Sequence, residues 1–300
     1  MKSTQDCGKS VMSKSKYVWI FLTAAVCFAG VMFFANRVAQ PREPRYEGRS
    51  LGSWLEDFSD EGPNTNSPAG IAVRNMGTNA IPFLMAILSY EESTARKRLR
   101  KLAGKSPIPF TFLDRNHMRE VEAAYAMNAL GNQVESAFPA LTNLFLKGRH
   151  SVSTAISLAG MGRKGVPFLI DVATNRNLSM IRFRHAAAGG LGCAHTDAEI
   201  IVPVLIQLLS TEEHSLMRHE AALSLGMLHE QPELSIPALI KSFDDPDQMQ
   251  RFMVVFALGE FGSEAKPAIP ILLQAQKDKD ADVRDFAGKI LQFFFFRIIG

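Results

Sequence analysis

The chain has 300 residues, which is enough for two globular domains or for one elongated array, and its 3 cysteines exclude a disulfide-stapled miniprotein. Apolar residues make up 47% of the chain and charged residues 21%, a composition that excludes a wholly disordered protein. The net charge of +3 hides an asymmetry, because residues 1–45 hold 7 Lys/Arg against 2 Asp/Glu while the remaining residues hold 26 against 28. A slightly acidic main body disfavours nucleic-acid binding.

The first 49 residues have the features of a membrane signal-anchor. Four lysines lie in a basic tail, residues 1–16, and residues 17–35 are uncharged and long enough as a helix to cross a bilayer core of roughly 30 Å. We expect a single transmembrane helix over 17–35, a cytoplasmic N terminus, a polar linker over 36–49 and an extracytoplasmic main body. A cleaved signal peptide is the alternative, although no small-x-small site follows the apolar run.

A short helix is predicted immediately after the linker. Leu51, Trp54, Leu55 and Phe58 are spaced i, i+3, i+4 and i+7 behind Ser50, which is a suitable N-cap residue. This helix is expected to cover the first of the units described next. The following residues, 60–68, are predicted to form a loop by composition.

A motif then recurs along the chain. A helix-like stretch containing Gly is followed by an apolar residue, Pro, any residue and a large apolar residue, as in RHEAALSLGMLHEQPELSIPALI from Arg218. The Pro markers stand at positions 82, 139, 167, 203, 237 and 270, and the Gly markers at 77, 131, 162, 192, 226 and 259. Both series settle on steps of about 33 residues, which indicates one repeated structural unit.

Each marker predicts a helix boundary. Gly readily takes the positive φ at a helix C terminus, and Pro is tolerated in the first turn of the next helix. Each unit is therefore predicted to be a helical hairpin. The apolar face of a second helix, for example Leu205, Leu208 and Leu209, is too wide for one hairpin to cover, so neighbouring units must stack on it.

The repeated strings resemble HEAT repeats from Val73 to Gly300. The units that begin with Arg, such as RHEAALSLG at Arg218–Gly226, are similar to the HEAT-like subtype found in phycobilisome (PBS) lyases. The resemblance implies an all-α fold, a right-handed α-α superhelix of HEAT or armadillo type over residues 50–300, preceded by one transmembrane helix. It also implies a binding surface, and it assigns no particular activity, since functions vary within one fold.

Residues 91–117 depart from the period as a basic insertion. Six basic residues occur there without an acidic residue among them: Arg96, Lys97, Arg98, Arg100, Lys101 and Lys105. Contact with anionic lipid headgroups is one interpretation, because the anchor would hold the insertion near a membrane. A solvated helix or loop, pinned by Leu99 and Leu102, is the other.

The last residues, 281–300, begin like another first helix and are predicted to form a C-terminal cap. Phe293, Phe294, Phe295 and Phe296 are consecutive, and one helical face cannot bury all four rings. An exposed ring would favour self-association, membrane contact or a bound partner. Core packing is the alternative.

One pair of residues suggests an enzyme. His219 and Glu220 resemble the His-Glu pairs of deoxyhypusine hydroxylase, a HEAT-like enzyme that binds two irons. The neighbouring repeats depart from that pattern, because Ala186 follows His185 and the next repeat has Phe252 at the His position. With so few ligands, no di-iron site is expected, and these histidines are predicted to bond a neighbouring turn.

Other chemical motifs are weaker still. Cys193 and His195 lack a second ligand pair at zinc-finger spacing, and a loop Cys and His are the simpler interpretation. The sequence contains no nucleophile elbow, zinc-protease motif or phosphate-binding Gly-rich loop. We therefore expect no catalytic, metal or cofactor site.

A recognition surface is easier to predict. The residue four positions after each Pro marker is mostly polar, and the array would place these residues side by side: Asn143, Asp171, Gln207, Lys241 and Gln274. We call this set the polar stripe. In HEAT arrays the second helices line the concave side, so the resemblance places the stripe in a groove, while ordinary solvent exposure of amphipathic helices is the alternative. Its mixed charges suit a protein partner better than a phosphate backbone.

The sequence thus predicts a membrane-anchored scaffold or adaptor that binds another protein and is not an enzyme. A PBS-lyase-like or other HEAT-like enzyme or accessory role is the alternative, and DNA binding is disfavoured by the acidic body.

Overall fold

The structure is a computed structural model that describes residues 43–62, 64–91, 115–148, 150–177, 181–212 and 214–299. These residues form one compact unit from Glu43 onward. The predicted basic tail, transmembrane helix and first part of the linker lie outside the described residues. The six basic residues of the insertion also lie outside them, so the membrane anchor and the headgroup contact both stay predictions.

A small hairpin opens the described chain, within the segment interpreted as a linker. Strand β1 (Arg45–Tyr46) pairs antiparallel with β2 (Arg49–Ser50), and the turn residues Glu47 and Gly48 both have positive φ, as a tight hairpin turn requires. In the described part of the chain this is the only sheet. It lies ahead of the repeats and leaves their all-α architecture unchanged.

Two short helices follow, where one was predicted. Helix α1 (Leu51–Leu55) and helix α2 (Phe58–Glu61) are separated at Glu56–Asp57. Ser50 occupies the N-cap position without a side-chain hydrogen bond. The four predicted apolar residues at positions 51, 54, 55 and 58 are all buried. Helix α1 packs against the first helix of the first pair, as expected, and α2 packs against the first helix of the second pair.

In the described residues, six helix pairs follow in sequence. The first helices are α3 (Pro68–Met76), α5 (Arg115–Leu130), α7 (Ser151–Ala159), α9 (Ile181–Gly192), α11 (Ser215–Leu228) and α13 (Gln248–Glu260). The second helices are α4 (Ile81–Leu88), α6 (Phe138–Leu146), α8 (Gly165–Thr174), α10 (Ala198–Thr211), α12 (Pro232–Ser242) and α14 (Ile269–Ala275). A final helix, α15, covers Ala281–Ile299.

The helices pack in a regular sequential order. First helices lie against the first helix of the next pair, from α5 on α7 through to α13 on α15. Each second helix packs against the first helix that follows it, as α8 does on α9 and α10 on α11. This arrangement confirms a helical repeat protein with sequentially stacked pairs, while the handedness of the superhelix stays a prediction.

The Leu of the predicted Pro-x-Leu motif lies in the core in all six units. A leucine stands two residues after each Pro marker, and all six are completely buried: Leu84, Leu141, Leu169, Leu205, Leu239 and Leu272. Burying each such side chain contributes about 1.5–3 kcal/mol before entropy is counted. The recurring Pro-x-Leu string is therefore the sequence signature of core contact between units.

The Gly markers have two different roles, which corrects their uniform interpretation as helix ends. Gly77, Gly131 and Gly162 have positive φ at or just beyond the end of a first helix, as predicted. Gly226 and Gly259 lie inside helices instead, Gly192 is the last residue of α9, and none of the three has a positive φ. A Cβ on Gly226 would stand 2.7 Å from the Cα of Ala257, so this glycine is required by the close approach of α11 and α13.

Non-glycine residues supply the left-handed backbone where those glycines do not. His229 caps α11 with a φ of 51°, and Gln231 and Asp197 also have positive φ in the loops between helices. Sequence spacing could not distinguish a glycine needed for backbone conformation from one needed for helix contact, because both recur once per unit.

The Pro markers also differ from the uniform prediction. Pro82, Pro139 and Pro270 lie in the first turn of their helices, whereas Pro203 and Pro237 lie inside α10 and α12, whose starts are five residues earlier. Both internal prolines are exposed, so their rings stay clear of the packed face. In three other units a 3-10 helix precedes the second helix: Gly77–Ala80, Gly131–Ala137 and Gly262–Ala268.

One described stretch, Pro68–Leu88, is long and apolar enough to cross a membrane by length and composition. It is made of α3, a 3-10 turn and α4, and Gly77 between them has a φ of 61°. Leu84 and Leu88 of this stretch are fully buried, and both of its helices pack against α5. A core helix can pass the same test of length and composition, so this stretch is only weak evidence for a membrane span.

The C-terminal cap is a single long helix. Phe293 is 48% exposed and Phe294 is buried, so the expectation that one face cannot cover every ring is confirmed for this first pair. The side chains of residues 295–299 lie outside the description. Helix α15 packs on α13 and α14, the position expected for a final first helix.

Candidate protein-binding surfaces

The polar stripe occupies the same position on five successive second helices. Asn143, Asp171, Gln207, Lys241 and Gln274 are all exposed, one each on α6, α8, α10, α12 and α14. The repeat therefore presents one polar side chain per unit to solvent. This geometry fits both a binding stripe and ordinary amphipathic helices.

The residues beside the stripe favour a binding surface. Ile170, Ile206 and Ile240 directly precede stripe residues and are only partly buried, although each also packs against the core. Leu273, in the corresponding place on α14, is exposed. In four of the five units an apolar residue directly precedes the polar one, whereas Thr142 precedes Asn143. These four pairs give the mixed character that protein interfaces have.

The two histidines considered as metal ligands bind acids in neighbouring units. His185 Nε2 lies 2.9 Å from Glu220 Oε2, and His219 Nε2 lies 3.0 Å from Asp247 Oδ2. The hydrogen bond that His185 donates to Glu220 raises the pKa of this histidine, against an opposing effect of burial. His219 therefore bonds the loop before the next unit, as predicted, whereas His185 bonds a helix.

Cys193 is a buried thiol. The side chain is buried, and burial together with the charge of Glu220 raises the pKa of its thiol to about 12. Its backbone carbonyl accepts a hydrogen bond from the Asn128 amide, which also donates to the carbonyl of Ile156 and so links α5, α7 and the turn after α9. His195, in contrast, is exposed in a polar loop pocket beside Asp197 and Glu199. Among the described residues no group of three or more His, Cys, Asp and Glu side chains is placed to hold a metal ion.

In three successive units of the described chain, an arginine–carboxylate pair that was not predicted fastens the first helix to the end of the second helix. Arg184 Nη2 lies 2.5 Å from Glu212 Oε2, linking the start of α9 to the end of α10. The same link recurs in the next two units, from Arg218 to Asp245 at 3.0 Å and from Arg251 to Asp278 at 2.6 Å. The sequence signal was present, because an Arg begins each of these units and an acid follows 27 or 28 residues later.

These pairs change the ionisation of their carboxyl groups. Burial would raise the pKa of Glu212, yet the hydrogen bond and charge of Arg184 outweigh it and lower the pKa. The hydrogen bond from Arg251 likewise lowers the pKa of Asp278. Both carboxylates are thus held ionised inside the array, where they also require their arginine partners.

A second unpredicted feature is a groove on the first-helix side, between α13 and the start of α15. It encloses about 480 Å³. Its apolar lining is Met249, Phe252, Met253 and Phe286, and its charged lining is Asp280, Asp282, Asp285 and Lys289. We call it the acid-rimmed groove. Its residues stand at equivalent positions of two adjacent first helices, but the residue types at those positions differ, which is why the periodic pattern did not reveal it.

Comparison with known families agrees with the repeat architecture. Residues 166–249 match the family described as HEAT repeats, and residues 250–278 match the family described as PBS lyase HEAT-like repeat. Together the matches cover α8 to α14 of the array, so this part of the chain is built from HEAT and HEAT-like repeats. A search of curated proteins found no match to the chain.

Proposed function

We propose that this helical repeat protein is a non-catalytic scaffold or adaptor that binds a protein partner through the polar stripe. The observation that carries the proposal is the exposure of one polar side chain at the same position of five successive second helices, four of them directly after an apolar residue that is partly buried or exposed. HEAT repeats generally mediate protein binding, which supports this reading. The match to PBS lyase HEAT-like repeats describes a type of repeat and supplies no activity.

The proposal includes attachment to a membrane through residues 17–35, with the repeat domain outside the cytoplasm. Its support is the uncharged length of that segment and the basic tail ahead of it. Proximity labelling in cells, with the labelling enzyme on either terminus, tests the orientation. Labelled neighbours from opposite compartments are expected for the two fusions, and the same compartment for both would contradict the proposed topology.

The stripe is tested by replacing its central residues in the full-length chain. The variant Asp171→Ala/Gln207→Ala/Lys241→Ala removes three exposed side chains and is expected to fold normally, since surface changes of this kind rarely alter stability by more than about 0.5 kcal/mol. Quantitative affinity capture from the native cell should lose at least one protein by tenfold or more. The circular dichroism spectrum and unfolding midpoint should stay unchanged.

A matched control removes the same three chemical types elsewhere. Asn132, Glu233 and Lys266 are exposed and lie outside the stripe, so the triple alanine variant at these positions should retain every captured protein. Equal capture by the wild type and both variants would contradict a role for the stripe.

A further inference from the structure

We propose that the acid-rimmed groove is a second docking surface, and that it binds a basic peptide segment of a partner protein whose bulky apolar side chains are flanked by Lys or Arg. The groove lies on first helices, whereas the polar stripe lies on second helices. The inference therefore stands independently of the stripe, and each surface can fail its own test.

The floor of the groove is suited to bulky apolar side chains. The rings of Phe252 and Phe286 lie 5.2 Å apart between centroids, and Phe256 stacks on Phe286 at 6.0 Å. Met249 is 44% exposed at the edge, and Met253 is only partly buried. Flexible methionines beside rigid rings let a surface adapt to differently shaped apolar side chains.

The charged residues at the rim of the groove are mostly acidic. The groove is lined by three aspartates and one lysine. Asp280 has a structural role, because its Oδ1 accepts hydrogen bonds from the backbone amides of Asp282 and Val283 at the start of α15. Asp282 and Asp285 are exposed, and within the described residues neither forms an ion pair. Two carboxylates are thus available to a cationic partner.

These two features together select the class of partner. An acidic rim repels phosphate groups, so nucleic acid and anionic lipid are poor occupants. The apolar floor would be left uncovered by a simple cation. A groove that is open to solvent and about 480 Å³ in volume accommodates side chains from a peptide, and Lys or Arg beside an apolar anchor would meet Asp282 and Asp285.

The test uses the full-length chain in neutral-lipid nanodiscs and two fluorescent peptides. The basic probe has Leu and Phe at helical spacing flanked by lysines, and the acidic probe has glutamates in place of the lysines. Fluorescence anisotropy should detect the basic probe and show weaker binding of the acidic one. A photo-crosslinker at the central Phe of the basic probe should react with α13 or α15.

Charge reversal gives the sharpest result. The variant Asp282→Lys/Asp285→Lys should weaken binding of the basic probe by at least about tenfold and strengthen binding of the acidic probe. Met249→Gln, a change at an exposed residue, should weaken both probes. The control Glu199→Lys/Glu233→Lys makes the same charge change at exposed sites away from the groove and should leave both affinities unchanged.

Three outcomes would overturn the proposal: equal binding of both probes to the wild type, crosslinking outside α13 and α15, or equal loss of basic-probe binding in the control variant. Loss of folding in the charge-reversal variant would show in its circular dichroism spectrum. In that case Asp282→Asn/Asp285→Asn replaces it, with the same expected loss of basic-probe binding and no gain for the acidic probe.

Discussion

At the scale of single residues, one buried side chain of the described array lacks a hydrogen bond at both of its polar atoms. Gln250, the third residue of α13, is completely buried, and neither side-chain polar atom has a hydrogen-bond partner among the described residues. Met217 and Val283 hold the equivalent third positions of α11 and α15, and both are also completely buried. The position thus belongs to the core in every late unit, and only Gln250 is polar there.

Replacing Gln250 with Met should therefore stabilise the protein. Met has nearly the same volume and removes a buried amide that lacks hydrogen bonds, so the free energy of unfolding should rise by about 1–3 kcal/mol. Denaturant unfolding of the full-length chain measures this change. Gln248→Met, at an exposed position of the same helix, is the control and should change stability by less than about 0.5 kcal/mol. A destabilised Gln250→Met protein would mean that the amide has a partner, such as bound water.

At the scale of elements, the arginine–carboxylate pairs hold the two helices of a unit together. The Arg251 and Asp278 side chains are each 7% exposed, and Arg251 also donates to the backbone carbonyls of Asp245 and Pro246. One side chain thus joins the start of α13 to the loops on both sides of its unit. An unpaired charge left in this place would be costly.

Breaking the ion pair between Arg251 and Asp278 should strongly destabilise the folded protein. Asp278→Asn keeps the shape of the side chain but leaves Arg251 without its counter-charge, and a loss of about 3–5 kcal/mol is expected. Glu135→Gln, which removes the exposed pair with Lys164, should lose less than about 1 kcal/mol. Similar losses in the two variants would contradict the ranking by burial.

The contribution of this ion pair to stability should also depend on pH. Because Arg251 lowers the pKa of folded Asp278 below its ordinary value of 3.8, the stabilisation is complete above that value and is lost as the pH falls through the folded pKa. The wild type should therefore lose stability below about pH 4, and Asp278→Asn should lose less over the same range.

Sequence reasoning succeeded for elements whose signal is periodic and failed where one residue type serves two purposes. The buried Leu after each Pro marker could be predicted, because core contact recurs in every unit. The start of α10 at Ala198 could not, since Pro203 is normally a sign of the first turn. Likewise, Arg218 was visible as a repeat residue, but its partner Asp245 lies 27 residues away, and that recurring separation had not been recognised as a contact.

At the scale of the whole molecule, stability is expected to be local because packing runs from each unit to the next. The stripe followed from this repetition and could be proposed from sequence. The acid-rimmed groove could not, because it depends on which side chains differ between α13 and α15.

A substitution that forces two neighbouring first helices apart should show whether destabilisation stays confined to the units that contain them. Gly226→Ala places a Cβ 2.7 Å from the Cα of Ala257, which forces α11 and α13 apart and should cost about 1–3 kcal/mol. Hydrogen exchange should accelerate in α11 and α13 and stay unchanged in α3 and α5. Gly288→Ala, whose nearest neighbour would be a flexible Gln276 side chain at 3.6 Å, is the control and should leave exchange unchanged or slower. Uniform acceleration along the chain would indicate a single cooperative unit.

The rate at which the buried Cys193 is chemically modified can report how often neighbouring helices of the array separate. With 3% of the residue exposed and a pKa near 12, an alkylating reagent can reach a reactive thiolate there only after α9 separates from its neighbours. The rate at which this site is modified, read by mass spectrometry on the peptide that contains it, therefore counts how often the middle of the array opens, without any engineered label.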